Sequence, residues 1–357
     1  MTSLHSGLSQ AAIEQTAAAI ASVQLPSGAI PWFPGGQVDA WNHVEAAMAL
    51  DVAGRHDQAR AAYDWLRATQ NPDGSWYRSY RGPGPQPDDR GRESNHAAYL
   101  AVGVLHHTLT TGDPAYLDRA WPTVAAAMEF VLRLQRSGGE ITWEVDATGA
   151  PGTDALLTGC SSMFHSLRCA LDLARRRDEP QPDWELAAAM LGHAVAAHPE
   201  RFSPRERYSM DWYYPVLGGA VRGPAGAQRI DEGWATFVVP GLGVRCVSDR
   251  PWITGAETCE LAVALAALGD RDRAITLFAD MQHTRHDDGS YWTGFVFPDN
   301  VFWPAEHSTW TAAAVLLASA MFAGEPATTY VFGGAALPVG PDETSTACDA
   351  CSDLRPA

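Results

Sequence analysis

The stretch Gln24-Leu-Pro-Ser-Gly28-Ala-Ile30-Pro-Trp32 recurs as Gln70-Asn-Pro-Asp-Gly74-Ser-Trp76 and as Gln135-Arg-Ser-Gly-Gly139-Glu-Ile141-Thr-Trp143, with a looser copy from Gln282 through Gly289-Ser-Tyr291-Trp292. Each copy closes an Ala- and Leu-rich segment of helical period, namely 11–24, 57–70, 120–135 and 272–282. The glycine supplies the left-handed or tight turn that ends such a helix. After each turn comes a variable loop of about ten to twenty residues, then a second helix that is apolar on nearly every face. A helix apolar all round is a buried helix.

Buried helices of this kind read at 43–54, 94–107, 160–174, 211–221, 257–269 and 307–321. The residues at their starts (Asp39, Glu93 to Asn95, Ser161, Asp211, Glu257 and Glu306) are about fifty apart. Segment 184–198 supplies a fourth amphipathic helix, and the segment around 231–240 a weak fifth. Amphipathic helix, turn, loop and buried helix repeated six times close a ring, so the expected fold is an all-α (α/α)6 toroid with short β-hairpin loops. The toroid is expected over residues 1–325, followed by a partly disordered tail, 326–357, that begins as a strand-like lid. Parallel inner helices bring all six starts and their loops to one end, where helix N-termini and loop side chains surround a cavity.

The chain has 357 residues, 46% of them hydrophobic, and a net charge of −17. That balance argues against a nucleic-acid partner, which calls for clustered Lys and Arg. No basic start followed by an apolar segment opens the chain, and no run of about 18 apolar residues occurs, so a cytoplasmic protein without a membrane partner is expected. Cys160, Cys169, Cys246 and Cys259 fall in apolar stretches and read as free, buried thiols. Cys348 and Cys351 form a lone C-x-x-C in a polar tail, without the second ligand pair a zinc site would use. No metal or cofactor is called for.

The loops at the shared end are rich in Trp, Tyr, Asp, Glu and Asn. Carboxylates that bind hydroxyls and flat aromatic faces that stack on C–H bonds are what a sugar asks of its site. There is no Gly-rich phosphate loop, no H-E-x-x-H and no serine elbow, so the chemistry rests on carboxylates. Glycoside hydrolysis uses one carboxylic acid to protonate the leaving oxygen and one carboxylate to activate water or attack. Glu144, after Trp143 in the third hairpin, and Glu306, opening the sixth, face each other across such a ring. A wide separation with room for water would make the enzyme inverting. Trp32, Asp39, Trp41, Asn95, His96, Asp211, Trp212, Trp252, Glu257 and His307 are the candidate substrate-binding residues. Trp41, Trp212 and Trp252 lie off the repeat register, whereas Trp76, Trp143 and Trp292 share equivalent positions and suggest packing. A carboxylate at a helix start is also an N-cap or dipole partner, the plain reading of Asp39, Asp211, Glu257 and Glu306.

These segments resemble the six-hairpin glycosidases, and among them the glucoamylase-type enzymes. Trp32 with Asp39 is similar to that family's pair that holds the substrate sugar. Ile141-Thr142-Trp143-Glu144, followed by Ser161-Ser162-Met163-Phe164, resembles its general-acid segment, which implies Glu144 as acid. His307-Ser308-Thr309-Trp310-Thr311-Ala312-Ala313 resembles its final inner helix, which follows the base; there Asp299 competes with Glu306. With the inversion expected from a wide carboxylate separation, the reading is an inverting glycoside hydrolase, and the resemblance implies that it acts on an α-linked oligosaccharide or polysaccharide. The Gln-x-x-x-Gly-x-Trp turn also resembles the repeat of squalene-hopene cyclases and prenyl enzymes, but their D-x-D-D string does not occur. A sugar epimerase would use two opposed histidines, with His96, His165 and His307 as candidates. A non-catalytic glycan-binding toroid is the remaining alternative.

Overall fold

The computed structural model describes residues 7–82 and 86–338. Six inner units form a closed ring: α2 (Ala40–Val52), α4 with α5 (Ser94–Ala98 and Leu100–Thr111), α7 (Leu157–Arg176), α9 (Ser209–Leu217), α11 (Gly255–Ala267) and α13 (Thr309–Ala323). Each packs on the next, and α13 packs back on α2. Around them stand α1 (Gln10–Val23), α3 (His56–Thr69), α6 (Pro114–Leu132), α8 (Pro182–Ala197), α10 (Gly223–Phe237) and α12 (Arg271–Asp280). The (α/α)6 toroid expected from the repeat is thus the fold. The weakly signalled fifth outer helix is present as α10, and α7 begins ahead of Ser161, which lies inside it.

The repeat motif is the clamp between outer helices. Gln24 Nε2 donates to Gly28 O and, at the same 2.9 Å, to Gln58 O in α3. Gln70 Nε2 donates to Gly74 O and to Thr123 O in α6, at 3.0 and 2.9 Å. Gln135 Nε2 likewise spans Gly139 O and Ala187 O in α8. The glycine is obligatory twice over. At Gly74 the backbone has φ +91°, and a Cβ there would lie 1.9 Å from Ala126 O. The looser copy closes the circle, since Gly289 packs against Gln15 of α1. The residue two beyond each glycine is the core plug: Ile30, Trp76, Ile141 and Tyr291 are at most 1% exposed. The expectation that Trp143 and Trp292 share this packing role with Trp76 is therefore corrected, because both lie past the plug and are only partly buried.

Short strands trim the loop end. β1 (Ser79–Tyr80) pairs with β2 (Pro87–Asp89), and β3 (Arg92–Glu93) with β4 (Glu144–Val145). An antiparallel sheet follows in the order β5 (Val238–Val239), β6 (Gly243–Arg245), β7 (Trp252–Thr254), β8 (Gly294–Val296) and β9 (Val301–Phe302). At the opposite end, the segment expected as a strand-like lid is a helix, α14 (Pro326–Gly333), which packs on α5, α11 and α13. Arg168 donates to Gly334 O, Leu337 O and Pro338 O and ties it down. Cys348 and Cys351 lie outside the described residues. Among the described residues no single helix is long and apolar enough to cross a membrane.

Candidate active site

Helical register carries the inward-facing side chains in two storeys, because residues three or four apart share a face. On α2, Asp39 caps the helix: its carboxylate accepts from Asn42 N at 2.9 Å and from Asn42 Nδ2 at 2.6 Å. Glu45 lies six residues further along α2 and accepts from Tyr99 OH. On α11, Glu257 stands one turn above Glu260. Glu257 accepts from Ser209 Oγ at 3.0 Å and from Thr254 Oγ1, while Tyr213, Tyr214 and Trp310 all donate to Glu260. These bonds also tie neighbouring inner helices to one another.

The lower storey encloses a cavity of about 30 Å³, lined among others by Glu45, Tyr99, Ser162, His165, Tyr214 and Glu260. A void of that size holds one or two waters and is too small for a pyranose. Burial raises Glu45 to about 7, and burial together with Glu45 lifts Glu260 well above the usual carboxyl range. Burial thus biases both floor carboxyl groups towards their neutral forms, and each is hydrogen-bonded to aromatic donors.

At the upper storey, Glu257 is 2% exposed. Burial raises its pKa against the lowering effect of the Thr254, Ser209 and Cys246 bonds. Asp39, at the start of α2, is 8% exposed. Between α2 and α11 stands α13, so the two carboxyl groups project from alternate members of the ring. An aromatic wall runs beside them, with Trp32 to Trp310 at 5.5 Å, Trp310 to Trp41 at 6.2 Å and Trp41 to Tyr99 at 4.9 Å between ring centroids. Trp41 Nε1, Asn42 Oδ1, Asn95 Oδ1 and His96 Nδ1 are buried atoms without a hydrogen-bond partner.

Other expected residues fall elsewhere. Glu144 lies directly opposite Glu93 in the β3–β4 pair, and Arg78 bridges the two like charges, donating to Glu93 at 3.0 Å and to Glu144. Trp143 Nε1 and His96 Nε2 also engage Glu93, at 3.1 and 3.3 Å. Glu306 accepts from Trp32 Nε1 at 2.6 Å. With His307, Phe33 and Trp292, it lines an outer groove of about 610 Å³ against α1. Asp299 is exposed in the turn between β8 and β9. Asp211 bridges to α7, where Thr158 N donates to it at 3.1 Å. Burial raises the Asp211 pKa against that bond. Trp212 faces outward, its Nε1 donating to Arg229 O of α10 and its ring stacked on Phe237 at 5.2 Å. Trp252 stands at the rim in β7. The three histidines of the epimerase alternative do not converge. His96 is at the mouth, His307 in the outer groove, and His165 beside Phe332 at the far end, where burial lowers it to about 3.

Among the described residues, ligand atoms of His286, Asp288 and His307 lie within 4.8 Å of one another. Asp288, however, accepts from Ser290 N and Oγ at 2.9 and 2.5 Å, as Asp73 does from Ser75 in the matching turn. Turn formation thus accounts for the arrangement.

The chain is 55% identical over 326 residues, 91% of its length and 90% of the relative's, to an MMP endo-(1,4)-3-O-methyl-alpha-D-mannosidase of Mycolicibacterium hassiacum. It belongs to that mannosidase family. It is accordingly a glycoside hydrolase on a six-hairpin toroid. No protein-family model matches it. Among solved structures it is similar to a wild-type glycosidase, with a TM-score of 0.71 at 15% identity over 89% of this chain and 99% of the other. A D-mannose isomerase gives 0.67 at 13% identity, over 87% and 96%. A rhamnosidase from Klebsiella oxytoca gives 0.64 at 14%, over 89% and 64%. Identities this low show the fold alone, and folds host different chemistries. What the glycosidase's sequence concealed was the lower storey and its tethers. Glu45 and Glu260 are charged residues inside otherwise apolar helices, and that mismatch is the signal that could have found them.

Proposed function

We propose that the protein cleaves an α-(1,4)-linked chain of 3-O-methyl-D-mannose internally and inverts the anomeric centre, with Glu257 as general acid and Asp39 as general base. The observation that carries this is the pair of unequal environments at the mouth. Glu257 is buried and shifted towards its protonated form, whereas Asp39 sits at a helix N-terminus with two amide donors, Asn42 N and Nδ2, on its carboxylate. Glu257 delivers its proton to the glycosidic oxygen as the bond to the anomeric carbon breaks. Asp39 takes a proton from the water that attacks that carbon from the opposite face. Inverting enzymes hold their carboxyl groups about 6.5–9.5 Å apart and retaining ones about 5–5.5 Å, and projection from alternate ring members supports the wider spacing. Glu144 and Glu306 remain tied to Arg78 and Trp32 in this reading.

The substrate class follows the mannosidase relative, and the Trp32–Trp310–Trp41 wall supports it, since a methyl ether presents more apolar surface to an indole than a hydroxyl does. The test is proton NMR of products released from α-(1,4)-linked 3-O-methylmannose oligosaccharides. The β-anomer is expected first. Initial release of the α-anomer would refute inversion, and no cleavage would refute the substrate.

A further inference from the structure

Trp303 follows β9 with 55% of its surface exposed, yet its backbone is fixed on both sides. Its backbone N–H donates to Gly294 O at 3.0 Å, and its carbonyl accepts from Trp252 Nε1 at 2.8 Å. The two indoles meet edge-on at 5.1 Å and 76°. Across the sheet, a Cβ on Gly294 would lie 2.4 Å from Trp252 Nε1, so only a glycine in β8 lets the Trp252 indole rest against the strands. A single exposed apolar side chain is ordinary. Here the Trp252 indole is held by its bond to the Trp303 carbonyl and by the cross-strand glycine, and the Trp303 indole stands edge-on against it from a backbone pinned to β8; such a corner is preorganised, and preorganisation lowers the entropic cost of binding.

The corner adjoins the catalytic mouth. Trp252 and Thr254 share a face of β7, about 7 Å apart along the strand, and Thr254 Oγ1 donates to Glu257. Trp303 extends this line a further 5.1 Å on the solvent side. A glycan chain leaving the mouth past Glu257 meets these two rings next. We propose that the Trp252–Trp303 corner is a second sugar-binding platform, which takes a pyranose of the same chain, beyond the bond being cleaved, by its C–H and O-methyl face. This rests on the endo-acting reading above and adds the element that grips a long chain.

The test uses α-(1,4)-linked 3-O-methylmannose oligosaccharides of graded length with the full-length protein and its Trp303→Ala and Trp252→Phe variants. The readout is the ratio of kcat/KM on the longest substrate to that on the shortest one cleaved. One aromatic stack corresponds to about a three- to tenfold effect, and Trp303→Ala is expected to lower the ratio by that amount through KM. Trp252→Phe keeps a ring but loses the bond that fixes the corner, and is expected to lower it by less. A ratio unchanged in Trp303→Ala, or an equal loss at every length, overturns the platform while the substrate reading stands. A wild-type protein that cleaves none of the series overturns both.

Discussion

Replacing Glu257 by Gln separates proton donation from everything else that side chain does. Glu257 is fully enclosed and biased towards its neutral form, so the amide matches it in size and charge. Ser209 Oγ and Thr254 Oγ1 both donate to the carboxyl group, and an amide offers only one oxygen. One hydroxyl must therefore turn to accept, at a cost of about 1 kcal/mol. In a chain of this length that corresponds to a fall in Tm of about 1–2 °C. The catalytic loss is larger, because general acid catalysis contributes about 10²–10⁴-fold, or about 2.7–5.4 kcal/mol of barrier. The assay compares kcat on an unactivated oligosaccharide with kcat on an aryl oligosaccharide whose leaving group departs readily as an anion. Glu257→Gln is expected to lose at least about a hundredfold on the first and far less on the second. Asp39→Asn, which removes the base, is expected to fall on both. Equal loss on both substrates in Glu257→Gln, or activity within tenfold of wild type, would show that the acid is another residue, with Glu144 the next to test.

Two further predictions concern the scaffold. His43 is buried and neutral, with Nδ1 accepting from Ile30 N at 3.0 Å and Nε2 facing Ala62 O at 2.8 Å, and burial lowers its pKa from 6.5 to about 4. The unfolded chain therefore binds the proton first, so stability is lost as pH falls from 6.5 through 4, by up to about 3.4 kcal/mol. Urea unfolding of wild type and His43→Gln should show their stability difference shrinking over that window, and a constant difference would contradict it. Gly74→Ala, at φ +91° and 1.9 Å from Ala126 O, should cost about 3–5 kcal/mol through left-handed strain and displacement of α6. Gly112→Ala, at φ +64° with nothing within 4 Å, should cost only about 1–2 kcal/mol, and similar melting temperatures for the two variants would refute the clamp.

The ring was legible because its parts are local. A glutamine four residues ahead of a glycine, at the end of an Ala-rich period, encodes both the turn and the clamp to the next outer helix. A run such as 307–321, apolar on every face, has nowhere to go but the inside. The mouth was legible in outline for the same reason, since Asp39 and Glu257 were marked by standing at inner-helix starts. Partner choice could not be read, because it is set by contacts far apart in sequence. Arg78 reaches Glu144 across 66 positions, and Trp32 reaches Glu306 across 274. Those two contacts are why the proposal above turns from the pair expected across the ring, Glu144 and Glu306, to Glu257 and Asp39.

The lower storey explains why the shift falls on Glu257. Glu260 stands one turn beneath it and draws donors from Tyr213, Tyr214 and Trp310, while Glu45 draws Tyr99. Ionising either floor carboxyl would place an uncompensated charge where no Lys or Arg lines the cavity, and a buried unpaired charge is more costly than a shared proton. The same low-dielectric column continues upward to Glu257, which lacks a cationic partner among its contacts. Asp39, capping α2, has the helix N-terminus in place of a cation. The two carboxyl groups proposed as acid and base thus differ in what each leans on: buried hydroxyls for Glu257, helix amides for Asp39.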